Sequence, residues 1–382
     1  MLIYWIWLAE REHVTGREKL AVLEYFGSPE DCYHAGSYET VEGLRPEAKA
    51  ALLDKDLTEA EKILESCAKK HIRLLTLHDK QYPARLRSIA DPPLILYYRG
   101  ILPDFDSNAV IGVVGTRKAS AYGMSCAMQI SRQITQCGGI VVSGMAAGID
   151  AVATAEALNT GKTTVGVLGC GVDRIYPASN RKLFLQMDRQ GCLLSEFPPG
   201  TPPHHYNFPK RNRIISGLSC GVLVVEAPKK SGALITARQA LEQGRDVFVV
   251  PGNIGVESCE GSNALLRDGA CAVTSGWDIL SEYVGLYPEK LHPSDSVLEP
   301  AADKKAVDKP TLPPYSVIEN DAADLTQEEK QLLSHLHAGE RLIDDVIAET
   351  GLPAGQVLAA LTMLEVSGIV TTRPGGWVSV IQ

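Results

Sequence analysis

The strongest constraint on the fold lies between residues 109 and 250, where short runs of continuous apolar residues alternate with longer stretches of apolar residues at helical spacing. The runs predict strands at Ala109–Val114, Gly139–Ser143, Thr163–Leu168, Cys192–Ser195, Gly221–Glu226 and Asp246–Val250. The stretches predict helices at Ala119–Cys137, Ile149–Asn159, Asn180–Arg189 and Gly232–Gln243. Strands that are apolar on both faces are typical of a parallel sheet covered by helices. We therefore predict a Rossmann-like, doubly wound, mostly parallel α/β sheet that binds ligands beyond the carboxyl ends of its strands.

The segments on either side of this pattern differ from it in composition. Prolines in residues 82–93 end a helix-rich opening, which predicts a small helical domain over residues 1–84 and the Rossmann-like core over residues 85–290. Residues 291–324 hold five prolines and no sustained apolar period, as a linker does. Residues 325–382 contain three predicted amphipathic helices followed by a short hairpin, the pattern of a winged helix-turn-helix.

The net charge of −9 argues against a protein that coats nucleic acid through bulk positive charge. The charge is uneven along the chain: −4 over residues 1–84, +3 over residues 85–290 and −8 over residues 291–382. A surface that binds an anionic ligand should therefore lie in the middle segment.

The nine cysteines are dispersed and include no C-x-x-C pair, so the sequence predicts neither a disulfide framework nor a zinc site. The apolar opening Met1–Ala9 lacks a basic flank and is much shorter than the roughly 20 residues that span a bilayer. We expect a cytoplasmic protein with no membrane association, no metal and no cofactor.

Two glycine-rich turns follow predicted strands and precede predicted helices. In Gly115-Thr116-Arg117, free backbone N–H groups and the guanidinium of Arg117 favour the binding of a phosphate. Phosphate binding is favoured over the alternative, in which Arg117 only pairs with a nearby carboxylate. In the second turn, Ser143 and Gly144 offer further donors to a phosphate oxygen. Asp150 lies in the first turn of the next helix, where stabilisation of the helix start is favoured over catalysis.

The run Phe208–Arg213 places three cations beside an aromatic ring, and we predict that it forms a basic loop at the sheet edge. Cations for phosphates and rings for bases are what a protein needs to bind a single strand. From this motif alone, two roles are equally favoured: binding of a single nucleic-acid strand, and a run of charged side chains that is only solvated. His204 and His205 are expected to be turn residues, because no Cys or carboxylate shares a metal-ligand spacing with them.

Three other motifs do not support catalysis or DNA reading. Glu226 ends a predicted strand without a partner acid, base or nucleophile, so locking Arg211 or Arg213 in place is its favoured role. Gly161-Lys162-Thr163 has Glu156 where a P-loop needs its first Gly, which excludes a Walker site. The predicted recognition helix of the tail holds no Lys or Arg, so the tail is expected to contact protein or to pack.

Seven ordered motifs across residues 109–290 resemble the DprA/Smf family of bacterial DNA-processing proteins. The residues that carry the resemblance are Gly115-Thr116-Arg117, Ser143-Gly144-Met145-Ala146 with Gly148-Ile149-Asp150, Leu168-Gly169 with Gly171, Asp173 and Tyr176-Pro177, Ser195-Glu196-Phe197-Pro198-Pro199-Gly200, Phe208-Pro209 with Arg211-Asn212-Arg213-Ile214-Ile215-Ser216, Val225-Glu226-Ala227, and Ser231-Gly232-Ala233-Leu234-Ile235-Thr236-Ala237. More loosely, residues 1–84 resemble the family's SAM-like domain and the tail its winged helix.

The resemblance implies a core that binds single-stranded DNA, forms a homodimer, and loads the RecA recombinase onto incoming DNA during natural transformation. It implies that the bound anion is DNA phosphate and that the DNA-binding residues are Gly115, Thr116, Arg117, Ser143, Gly144, Phe208, Lys210, Arg211, Asn212 and Arg213. Ala147 and Thr154 stand where the family commonly has Arg and His, which removes any role carried by those two side chains.

Two other classes of protein remain open. The same Rossmann variant resembles nucleotide-processing phosphoribohydrolases of the lysine-decarboxylase-like group, but this chain has Pro251-Gly252-Asn253 where they carry Pro-Gly-Gly-x-Gly-Thr. Glu226 would then have to supply the missing chemistry. A transcription regulator led by the winged helix is disfavoured by the acidic tail.

Overall fold

The computed structural model describes residues 1–294, 327–336, 341–366, 370–373 and 377–380. The chain divides into two compact units, Met1–Pro300 and Ala301–Gln382. Apart from residues 291–294, the predicted linker over 291–324 lies outside the described residues. None of the described helices is both long enough and apolar enough to cross a bilayer.

The first unit combines helices with one large sheet. Its helices are α1 Leu2–Ala9, α2 Gly16–Phe26, α3 Pro29–His34, α4 Pro46–Leu53, α5 Thr58–Lys69, α6 Ala84–Arg87, α7 Ala121–Gln136, α8 Ile149–Asn159, α9 Arg181–Gln190, α10 Asn207–Leu218, α11 Gly232–Glu242, α12 Glu260–Arg267 and α13 Gly276–Leu280. Its strands are β1 Arg73–Thr76, β2 Ile95–Gly100, β3 Val110–Val114, β4 Ile140–Ser143, β5 Val165–Val167, β6 Cys192–Ser195, β7 Gly221–Val224, β8 Asp246–Val249 and β9 Cys271–Ala272.

The strands form a nine-stranded sheet in the order β1-β2-β6-β5-β4-β3-β7-β8-β9. All neighbours from β6 to β9 pair in parallel, whereas β1 pairs with β2 and β2 with β6 in antiparallel fashion. The chain runs outward from β3 toward β6 and then returns to add β7 on the other side of β3. This confirms the predicted Rossmann-like, doubly wound sheet and places its topological switch point between β3 and β7.

Strands β1, β2 and β9 and the segment 208–213 are among the elements that differ from the sequence prediction. Strands β1 and β2 were not predicted, and because β1 lies within residues 1–84, that segment is not entirely helical. The residues predicted as a basic loop, 208–213, belong instead to helix α10.

The N-terminal helices share one hydrophobic core with the sheet rather than forming a core of their own. Trp5 and Trp7 of α1 are buried in the same cluster as Leu96 of β2 and Val167 of β5. Burial of such large aromatic side chains is a major source of stability, so α1 is an integral part of this unit.

Side-chain caps start the helices where the sequence changes from turn to helix. Thr15 accepts a hydrogen bond from the backbone N–H of Glu18, and the Glu18 carboxylate accepts one from the Thr15 N–H, which completes a capping box for α2. Ser120 caps α7 and Ser231 caps α11 without a capping box: each hydroxyl accepts a hydrogen bond from a backbone N–H, that of Gly123 and of Ala233 respectively. These caps fix where α7 and α11 begin, at the carboxyl edge of the sheet.

The second unit confirms the predicted winged helix. It holds α14 Gln327–Leu336, β10 Arg341–Leu342, α15 Ile343–Thr350, α16 Ala354–Val366, β11 Val370–Arg373 and β12 Trp377–Val380, with the strands in the order β10-β12-β11. Its core is formed by Leu332, Leu336, Val346, Val357, Leu361, Leu364, Val370 and Val378. The two-residue strand β10 was not predicted, and the predicted helix start at Leu325 and the hairpin turn at residues 374–376 lie outside the described residues.

Candidate nucleic-acid interface

A cleft of about 510 Å³ opens at the carboxyl edge of the sheet, beside the switch point between β3 and β7. Its walls come from the loops that follow β3, β4 and β7 and from the first turns of α10 and α11. Helix N-termini carry unpaired N–H groups and the positive end of the helix dipole, so this arrangement favours an anionic ligand. The position agrees with the one predicted for a doubly wound sheet.

The loop after β3 forms one wall and is held tightly in place. A Cβ atom at Gly115 would lie 2.5 Å from Cγ1 of Ile149, so glycine is needed here for packing against α8. The backbone N–H of Thr116 donates to the Glu226 carbonyl oxygen at 2.7 Å, and its carbonyl accepts from the Ile149 N–H at 3.2 Å. These contacts hold the next residue, Arg117, at the mouth of the cleft.

Arg117 and Phe208 form a cation–aromatic pair at this mouth. The Arg117 guanidinium carbon lies 5.3 Å from the centroid of the Phe208 ring, and the side chain makes no ion pair with any described residue. Phe208 in turn contacts the Tyr176 ring at a centroid distance of 5.4 Å. The pair of rings thus presents an aromatic surface under an exposed cation whose charge no carboxylate neutralises.

Ser143 and Gly144 do not line the cleft, although the sequence predicted that both would contact a phosphate. Ser143 is fully buried, and its hydroxyl donates to the Val113 carbonyl oxygen at 2.7 Å. Gly144 is also buried, and a Cβ there would lie 2.6 Å from Arg211 Nη1. The predicted phosphate contacts are therefore wrong for both residues, because each is used inside the fold.

Arg211 lines the cleft, but its side chain is buried and bonded within the fold, so it is not the surface cation that the sequence predicted. Only 4% of its surface is exposed, and Nη1 donates to the carbonyl oxygens of Gly144 and Val167. Burial lowers the pKa of the guanidinium to about 10, while nearby Asp150 opposes that decrease. Arg211 therefore stays charged at neutral pH and ties α10 to the ends of β4 and β5.

Asp150 has the structural role that the sequence favoured. It is buried in the first turn of α8 and accepts hydrogen bonds from the backbone N–H groups of Gly115, Gly144 and Ala146. Burial raises the pKa of the carboxyl, and these N–H groups together with Arg211 counteract the rise. Asp150 thus joins the loops after β3 and β4.

Arg213 and Asn212 are also occupied within the fold. Arg213 pairs with Asp91 at 3.2 Å and with Glu196, both outside the cleft. Asn212 accepts a hydrogen bond from Arg211 Nε at 3.1 Å and donates to the Gly232 carbonyl oxygen at 3.3 Å. Of the three cations in the run, only Lys210 is exposed, and it forms no salt bridge with a described residue.

Glu226 does not lock an arginine, contrary to the expectation. Its Oε2 accepts hydrogen bonds from the backbone N–H and the hydroxyl of Ser120, both at 3.0 Å, so it holds the start of α7. With only 1% of its surface exposed, Glu226 does not line the cleft.

The cleft includes residues that sequence reasoning did not assign to the site. Tyr176, His205 and Lys230 line it, and Lys230 adds a second exposed cation to Arg117. Lys230 directly precedes Ser231, the cap of α11. A cation next to a capped helix start favours an anion, and this pattern could have identified Lys230 from the sequence. For His205 the sequence contains no comparable signal, because its place in the cleft depends on how the turn before α10 is exposed in the folded chain.

Comparison with known proteins agrees with this architecture. Residues 73–284 match the family model described as DNA recombination-mediator protein A, and residues 319–376 match the DprA winged helix domain. The chain is 38% identical to Protein Smf of Synechocystis over 82% of its own length and 81% of that protein.

Two solved structures are similar to this chain. DNA processing protein A of Streptococcus pneumoniae has a TM-score of 0.65 and 33% identity, and the match covers 74% of this chain and 98% of that one. DNA processing protein A of Helicobacter pylori, described for its unique single-stranded DNA binding mode, has a TM-score of 0.51 and 30% identity over 57% of this chain and 98% of that one.

Proposed function

The chain belongs to the DprA/Smf family of DNA recombination-mediator proteins, and from that premise we propose that it is a DNA-processing protein that binds single-stranded DNA in the cleft. The observation that carries the proposal is the exposed Arg117 above the Phe208 ring, beside Tyr176 and with no carboxylate partner among the described residues. A cation for a phosphate next to a ring for a base is the arrangement that single strands require.

The residues proposed to contact DNA are fewer than the sequence suggested. Arg117, Phe208, His205 and Lys230 supply side-chain contacts within the cleft, and Lys210, an exposed cation on α10 outside the cleft lining, supplies a further one. Gly115 and Thr116 contribute by holding Arg117 in place. Ser143, Gly144 and Arg213 are left out because they do not line the cleft. Arg211 and Asn212 line it, but they are left out because both are buried and hydrogen-bonded within the fold.

We further propose that the protein acts in the cytoplasm as a homodimer and loads RecA onto incoming single-stranded DNA during natural transformation. What supports this is family membership. We propose binding rather than catalysis, because Glu226, the carboxylate that phosphoribohydrolase chemistry would need, accepts hydrogen bonds from Ser120, the cap of α7, and does not line the cleft.

Full-length protein should bind a single-stranded oligonucleotide more tightly than a duplex of the same length, because the cleft offers rings for unpaired bases. Log affinity should fall by roughly 0.7 per log unit of salt for each phosphate that is neutralised. Fluorescence anisotropy at two salt concentrations measures both effects. Equal binding to duplex, or binding that does not change with salt, contradicts the proposal, and turnover of nucleoside monophosphates would favour the phosphoribohydrolase alternative.

Removal of the winged helix, residues 320–382, should leave single-strand binding intact or strengthen it. The deleted part is acidic overall and belongs to the second compact unit, whereas every proposed contact lies in the first. The same anisotropy titration tests this, with a melting curve to show that the truncated protein is folded. A folded truncation that no longer binds would place the main DNA contact in the tail.

A further inference from the structure

The turn that precedes α10 exposes three aromatic rings in succession, at His204, His205 and Tyr206. Tyr206 alone is 53% exposed. A ring adds to stability chiefly when it is buried, so three neighbouring exposed rings indicate a surface that contacts something. Only His205 among the three lines the cleft, and the proposed function leaves the other two unused.

The rings at positions 204 and 206 are held in one orientation. Their centroids lie 5.2 Å apart and their planes are inclined by only 12°, so the two rings form an offset stack. The His205 ring meets Tyr206 edge-on, at 5.5 Å and 76°. The stack is therefore a flat aromatic surface, supported from the side by the residue that enters the cleft.

The backbone beneath these rings is rigid. Pro202 and Pro203 fix the approach to the turn. The His204 N–H donates to the Pro202 carbonyl oxygen at 2.9 Å, and the Asn207 N–H donates to the His204 carbonyl oxygen at 3.0 Å. Asn207 is buried, which anchors the turn to the first turn of α10. Binding of a ligand that stacks here would therefore cost little conformational entropy, because the turn is already ordered.

The stack is continuous with the proposed DNA cleft. Pro203 and His205 line the cleft, and Phe208 follows only two residues after Tyr206. The exposed Lys210 lies on the same helix, one turn further on. A DNA strand that leaves the cleft on this side would meet the stacked rings, and Lys210 would lie near the DNA backbone.

Resting on the proposed function, we propose that the His204–Tyr206 ring pair is a second base-stacking platform, which binds an unpaired nucleobase adjacent to the one at Phe208. Every base has an aromatic face, so such a platform tolerates any sequence and requires only that the base is free of its complement. It extends the bound segment beyond the cleft and adds to the selection of single strands over duplex.

Abasic scanning on the full-length protein tests the platform. With wild type, one abasic position in a short oligonucleotide should lower affinity through loss of the stacked base. Tyr206→Ser should weaken binding of the intact oligonucleotide roughly five-fold or more, the lower end of the effect of removing one stacking ring. The same abasic position should have no effect on Tyr206→Ser, while Tyr206→Phe should bind as wild type does.

Controls separate the platform from the fold and from the proposed function. Tyr25→Ser removes an equally exposed tyrosine on α2 and should leave both affinity and abasic profile unchanged. His204→Ala, which removes the other ring, should weaken binding in the same direction as Tyr206→Ser. Wild-type affinity in Tyr206→Ser, or an abasic profile identical to that of wild type, overturns the platform. Failure of wild type to bind any single strand would instead overturn the proposed function.

Discussion

Replacing Arg211 with alanine is expected to lower the free energy of unfolding by about 3 to 5 kcal/mol, the range for removal of one member of a buried charged cluster. The guanidinium is buried and is the donor that satisfies the Gly144 and Val167 carbonyl oxygens. Its loss also leaves the buried Asp150 carboxylate without a nearby cation. The ends of β4, β5 and α10 would then lose their common link.

Urea denaturation of the purified variant measures this effect. Lys210→Ala is the matched control, because it changes the adjacent cation, which is exposed, and should shift the free energy of unfolding by no more than about 0.5 kcal/mol. If Arg211→Ala were as stable as wild type but failed to bind single-stranded DNA, Arg211 would be a DNA contact, and its structural assignment would be wrong.

The parallel sheet could be predicted because its strands are buried on both faces. Continuous apolar runs such as Cys192–Ser195 and the helical period of Ile149–Asn159 give those elements their observed bounds. Strand β2 contains the same local signal, the continuous apolar run Leu94–Tyr98, but it lies before the alternating strand–helix pattern and was missed. Strand β1 is only four residues long and pairs in antiparallel fashion at the sheet edge, so its local signal is weaker.

Helix α10 escaped prediction because Pro209 sits near its start and three cations follow. Proline is tolerated in the first turn of a helix, where its missing N–H has no partner to lose. A helical signal was nevertheless present, since Arg211, Ile214, Ile215 and Leu218 fall at i, i+3, i+4 and i+7, on one face of a helix. All four are buried. That spacing places Arg211 inside and separates it from Lys210.

The same reasoning explains why only part of the predicted basic run is exposed. Adjacent residues on a helix point about 100° apart, so the three cations of one run cannot face one ligand. Lys210 is exposed to solvent, Arg211 is buried below the cleft, and Arg213 pairs with Asp91 and Glu196. Arg117 was predicted correctly as an exposed cation because a loop residue after a strand at a switch point has no core face to join.

Changing Arg117 and Lys210 together to alanine should weaken single-strand binding by roughly 3 kcal/mol, on the order of a hundred-fold in Kd, if each charge-assisted contact contributes about 1.5 kcal/mol. The slope of log affinity against log salt should also fall by about 1.4, since two phosphates are no longer neutralised. Both side chains are exposed and neither forms an ion pair with a described residue, so the melting temperature should stay at its wild-type value.

Lys62→Ala with Lys69→Ala provides the matched control for this double variant. It removes the same charge from α5, where the two lysines pair with Glu59 and Glu65 at the surface. Because long-range attraction depends on net charge, both double variants lose that part equally, and the difference between them isolates the local contacts of Arg117 and Lys210. Equal affinity of the two would show that Arg117 and Lys210 act only through bulk charge, and the DNA strand would then have to lie elsewhere on the protein.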